Sequence, residues 1–138
     1  MEQAAILLNT KSYVMTQKTF LTIASFIACT VGLVATLFPA MLLASKGTSP
    51  NEATDVWMTE VGILLLALGI TNFMVRAHEK SDTLKALFLG NIIIQIGLFL
   101  IEFIAYQNGI ITLLSGVAPN LTLHILLAIG FYYYLRKM

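Results

Sequence analysis

Apolar positions gather into four long runs separated by short polar segments. Positions 19–45 hold no charged residue, and a helix needs only about 20 apolar residues to span a bilayer. That run predicts a first transmembrane helix over 19–44, with Pro39 kinking or fraying its last turn. A second span is predicted over 56–75, interrupted only by Glu60, and a third over 84–105, with Lys85 at its mouth and Glu102 near its end. The stretch Ser115-Gly116-Val117-Ala118-Pro119-Asn120 reads as a break. The fourth span is therefore placed over 119–135, with Pro119 in its first turn. Ile110 to Leu114 become a short apolar piece at the interface, and Met1 to Lys18 a partly amphipathic helix on the inner membrane surface. Short connections make sequential helices antiparallel neighbours. The fold class predicted is an all-α membrane protein, one domain over 1–138 forming an antiparallel bundle of four transmembrane helices.

Composition agrees with this pattern. Of 138 residues, 58% are hydrophobic and 11% charged, against about a quarter charged in soluble domains. A net charge of +1 leaves nothing to neutralise a row of phosphates, so a nucleic-acid partner is excluded and the bilayer is the expected surrounding. A cleaved signal peptide is the other reading of the N-terminus, but the first apolar run is longer than such a segment. With four spans, Lys11, Lys18, Arg76, Lys80, Lys85, Arg136 and Lys137 share one side, and only Lys46 lies on the other. The positive-inside rule puts both termini in the cytoplasm. Trp57 and Tyr132, Tyr133 and Tyr134 then fall where aromatic belts belong. The sequon Asn120-Leu121-Thr122 sits at the outer membrane mouth, where no glycan is expected.

Small residues mark where helices approach closely in lipid. Ala24, Ala28, Gly32 and Thr36 form one stripe of the first span; Gly62 and Gly69 share a face of the second, and Gly90 and Gly97 a face of the third. These faces predict packing within the bundle, or, for one of them, a contact between copies. Cys29 has no partner cysteine and reads as a packing residue.

Ionisable groups inside a membrane are costly and are the first place to look for function. Asn91, Gln95 and Glu102 fall within about 40° of one another and make a polar stripe that should face inward. Glu60, Glu102 and His124 are each placed about 6–8 Å below the outer interface by helical rise. Ala128, one helical step beyond His124, is expected to leave room for a ligand beside the ring. Such a trio can hold a divalent metal, relay protons, or bind a polar head group from the outer leaflet. The plainer reading is that both carboxylates snorkel while His124 satisfies a backbone carbonyl. Neither Glu-x-x-His nor His-Glu-x-x-His occurs, which weighs against metal. No nucleophile motif, phosphate loop or dinucleotide fingerprint is present. Asn72 and Arg76 are either an anion site or an anchor with Asn72 bonded across helices.

Leu37-Phe38-Pro39, a glycine-containing loop, Glu60-x-Gly62, Leu68-Gly69 and Arg76 together resemble the small bacterial four-helix membrane proteins of the DoxX-like type. The resemblance covers the first two spans best and implies the fold and a bacterial inner membrane. Some members of that grouping are linked to redox or sulfur metabolism, but no paired cysteine here carries that link over. The leading functional reading is a non-enzymatic pocket of Glu60, Glu102, His124, Gln95 and Asn91 for a lipid or quinone-like ligand. The alternative is an accessory subunit packing against itself or another membrane protein, and a membrane-embedded enzyme comes third. The sequence names no cofactor. The orientation is tested by labelling: a cysteine at Ser81 should resist an impermeant thiol reagent in intact cells and one at Thr48 should react, with Cys29 background controlled. The opposite pattern would invert the topology.

Overall fold

Polar residues at the edges of the apolar runs start the helices. A computed structural model describes residues 15–138, so most of the expected N-terminal surface helix lies outside the described residues. Helix α1 (Gln17–Leu37) is capped by Thr16, whose side chain accepts from the Thr19 amide. It stops at Phe38, since the residue before a proline is driven out of the helical region; Phe38 has φ −137° and ψ 53°. The short helix α2 (Pro39–Ala44) follows, so Pro39 starts a new helix instead of fraying the old one. Helix α3 (Glu52–Val75) starts before the expected boundary because Asn51 and Thr54 form a reciprocal capping box. Glu52 and Asp55 in its first turn favour the positive end of the helix dipole. Ser81 caps α4 (Asp82–Gln107) by accepting from the Leu84 amide.

The fourth long helix departs from expectation at its start. Helix α5 spans Leu114–Leu135 and contains Pro119, so the glycine- and proline-bearing stretch does not break the chain. Its amides at Gly116 and Val117 bond the Leu113 carbonyl, at 3.1 and 3.3 Å. Pro119 forgoes only the bond its nitrogen would give to the Ser115 carbonyl. Gly116 lets this first turn lie directly against the Ser45 and Lys46 backbone, where any Cβ would collide. Of the short apolar piece over 110–114, Ile111 is buried while Ile110, Leu113 and Leu114 are exposed, and the Thr112 and Leu113 amides both donate to the Lys46 carbonyl.

All four long helices are long and apolar enough to cross a membrane, and together they form the four-helix bundle. It is built as two hairpins: α1 packs along α3, and α4 along α5, while the hairpins meet at few places. The first hairpin is a contact of backbones. A Cβ on Gly62 would lie 2.7 Å from Thr36 N and 2.9 Å from Gly32 O. One on Gly69 would lie 3.0 Å from both Cys29 N and Ser25 O. The expected stripe therefore divides: Gly32 and Thr36 meet α3, joined there by Ser25 and Cys29, whereas Ala24 and Ala28 turn toward the space between the hairpins. Gly90 and Gly97, at the same spacing, have nothing within 4 Å of where a Cβ would sit. They do not pack within the bundle.

An aromatic cluster closes the end where α1 begins and α5 finishes. Phe20 of α1 and Phe131 of α5 are edge to face at 4.9 Å, Phe88 of α4 meets Phe131 at 5.6 Å, and Tyr134 stacks on Phe20 at 5.1 Å. Gly130 leaves room for the Phe20 ring. Tyr132 and Tyr133 are exposed, as a belt requires, but Tyr134 is buried and its hydroxyl donates to the Met15 carbonyl.

Two substitutions separate these faces. Gly32→Leu should lower stability by at least about 1–3 kcal/mol, since it forces α1 and α3 apart. Gly97→Leu should change it by less than about 0.5 kcal/mol, as expected away from packed contacts. Unfolding midpoints in mixed micelles read both, and equal losses would refute the division of roles.

Candidate functional site

The sparse contact between hairpins leaves a cavity of about 360 Å³. Its walls are mostly apolar on the first hairpin, from Ala24, Ala28 and Val31 of α1 to Val61, Leu65 and Leu68 of α3, with Asn72 the polar exception on α3. The polar side chains on its walls come mostly from the second hairpin. Asn91, Gln95 and Glu102 all line it, so the α4 stripe faces inward as the spacing requires. From α5, Asn120 and His124 are added one helical turn apart, and Lys46 reaches in from the loop after α2.

Five of these groups, Lys46, Glu102, Asn120, His124 and Gln95, form one connected network. The Lys46 ammonium pairs with Glu102 Oε1. Asn120 Nδ2 donates to both Glu102 oxygens, at 2.8 and 2.9 Å, and lies 3.3 Å from His124 Nε2. His124 Nδ1 is 2.6 Å from Gln95 Oε1. Deeper along α4, Asn91 and Asn72 exchange amide hydrogen bonds, both 3.1 Å, and Asn91 also donates to the Leu87 carbonyl. Both asparagines are 1% exposed. Asn72 is thus a cross-helix tie and not half of an anion site; Arg76 instead lies over the Phe73 ring.

The three ionisable groups are not brought together as a trio. Glu102 and His124 are joined through Asn120, but Glu60 is exposed, outside the cavity lining. The equal-depth premise fails because α5 starts at Leu114, which puts His124 about 15 Å along its helix, level with Gln95. Ala128 does not open the cavity beside the ring. It lines a separate outward groove between α4 and α5, with the Gln95–His124 bond as the partition. Among the described residues, no group of three His, Cys, Asp or Glu side chains is arranged to hold a metal ion.

Lys46 and Asn120 are the members that the sequence reading missed. Lys46 read only as the lone basic residue of its side, and Asn120 as part of a break and a sequon. The signal available was the spacing of Asn120 and His124, neighbours on one helical face. No family model matches the chain, and no curated protein or solved structure matches it either.

The asparagine tie makes a direct test. Asn91→Leu should cost about 1–2 kcal/mol, within the range for interhelical hydrogen bonds in bilayers. The double change Asn72→Leu/Asn91→Leu should cost less than that single change, because it leaves no buried amide unpaired. A double variant less stable than the single one would show that the pair is not what these residues contribute.

Proposed function

We propose that this chain is a bacterial inner-membrane protein, with both termini cytoplasmic, that binds one small amphipathic molecule between its hairpins. The ligand is a lipid or a quinone-like compound. The observation that carries the reading is the cavity itself, apolar over most of its wall and charged at the end where Lys46, Glu102 and Asn120 converge. Its volume falls in the usual range for small-molecule sites, which are mostly apolar with a few placed polar groups. Apolar space of this size fits a hydrocarbon chain or ring, and the network fits a head group. The seven basic residues shared by the termini and the α3–α4 connection support the orientation. By that orientation the polar end belongs to the outer leaflet.

A second reading, as an accessory subunit, draws on the outward face of α4. Gly90 and Gly97 leave space there that a helix from another copy or another protein can approach closely.

Native mass spectrometry of the protein released from mild detergent separates the two. The ligand reading expects a monomer retaining a small molecule. Ala28→Phe, which fills the cavity from α1, should abolish that retention without lowering thermal stability. A ligand-free oligomer would favour the subunit reading, and undiminished retention in Ala28→Phe would place the ligand elsewhere.

A further inference from the structure

Resting on the ligand-binding reading, we infer that the head group taken at the Lys46–Glu102 end is uncharged and carries both hydroxyl and carbonyl oxygens. The charges lining the cavity are already matched. Lys46 is its one basic residue and Glu102 its one acidic residue among the described residues. They pair directly, with each side chain 14% exposed. Both carboxylate oxygens are further engaged by Asn120. An anionic head would have to draw on the Lys46 charge, whether by displacing Glu102 or by sharing the ammonium with it, and either way leave a negative charge in apolar surroundings without a counter-charge. A cationic head would do the reverse to Lys46. Removing one partner of a buried ion pair is costly because the other charge stays behind. A zwitterion must first part the pair and then satisfy both halves in the same small space.

The imidazole adds no charge of its own. Its Nδ1 faces an oxygen acceptor, Gln95 Oε1, so that nitrogen carries the proton. Its Nε2 faces the Asn120 amide nitrogen, a donor, so it accepts. His124 is therefore neutral, with both nitrogens occupied. What remains for a ligand at this end is hydrogen bonding: the further protons of the Lys46 ammonium and the Asn120 amide oxygen, which has no partner among the described residues. Donors beside one acceptor, with no net charge, suit a carbonyl next to a hydroxyl, as in a monoacylglycerol or a hydroxylated quinone-like ring.

Four lauryl-chain probes that differ in head group test this: monolaurin, laurate, dodecylammonium and dodecylphosphocholine. Each is titrated against the full chain in an uncharged mild detergent, and retention is read by native mass spectrometry. Monolaurin should reach half-occupancy at a concentration about tenfold or more below the other three. Glu102→Gln, which frees the Lys46 charge, should move laurate to the front, and Lys46→Gln should do the same for dodecylammonium. The double variant Lys46→Gln/Glu102→Gln should restore monolaurin to first place and keeps the test intact if a single variant fails to fold. Laurate, dodecylammonium or dodecylphosphocholine leading in the unsubstituted protein would overturn the uncharged head while leaving ligand binding in place. An order unchanged by either single variant would remove the head group from this end. Retention of no probe by any form would overturn the ligand-binding reading itself.

Discussion

Close contact between the α1 and α3 backbones is the constraint on which the rest of this bundle depends. Gly32, Gly62 and Gly69 bring the two helices so near that a single added carbon collides with main-chain atoms of the partner. Helices in lipid gain little from hiding apolar surface, so such packing is a main source of cohesion. Once these small residues face each other, the remaining inward positions of α1 and α3 cannot also reach the second hairpin closely. The space between hairpins follows from that geometry. Ala24 and Ala28 border it because their side chains are too short to fill it.

Ties at both ends hold the hairpins across this gap. At one end the Phe20, Phe88, Phe131 and Tyr134 rings interlock and the Asn72–Asn91 pair links α3 to α4. At the other, Lys46 acts twice, through its ammonium on Glu102 and its carbonyl on the Thr112 and Leu113 amides. The polar groups at that end of the cavity therefore also hold the bundle together. In the proposed ligand-binding reading, occupancy there would act on the same contacts that join the hairpins.

The spans were legible because charge is nearly absent over long stretches, and apolar runs of that length suit a bilayer and little else. The inward face of α4 was legible too, since three polar residues at helical spacing cannot all face lipid. Single residues were harder. Glu60 had no periodic partner to fix its direction, and it lies outside the cavity. Gly62 and Gly69 share their spacing with Gly90 and Gly97, yet only the first pair meets a neighbouring helix. Spacing defines a face of a helix but not what lies opposite. The start of α5 was misread because Ser115, Gly116 and Pro119 carry the local marks of a turn. Here the glycine serves close approach to the Ser45 backbone instead, and that misreading also displaced Asn120 and His124 in depth.

The pairing of polar groups inside the second hairpin bears on how such a chain enters a membrane. Gln95 with His124, and Glu102 with Asn120, are hydrogen-bonded between α4 and α5 alone, although the counter-charge of Glu102 comes from Lys46. Consecutive spans can therefore leave the insertion machinery as hairpins whose buried polar side chains already have hydrogen-bond partners. The first hairpin is likewise complete in its glycine seam. Lys46 and the two asparagines wait for the halves to meet, so they register correct assembly: a hairpin slid by one residue along its neighbour would find neither the ion pair nor the exchanged amide bonds.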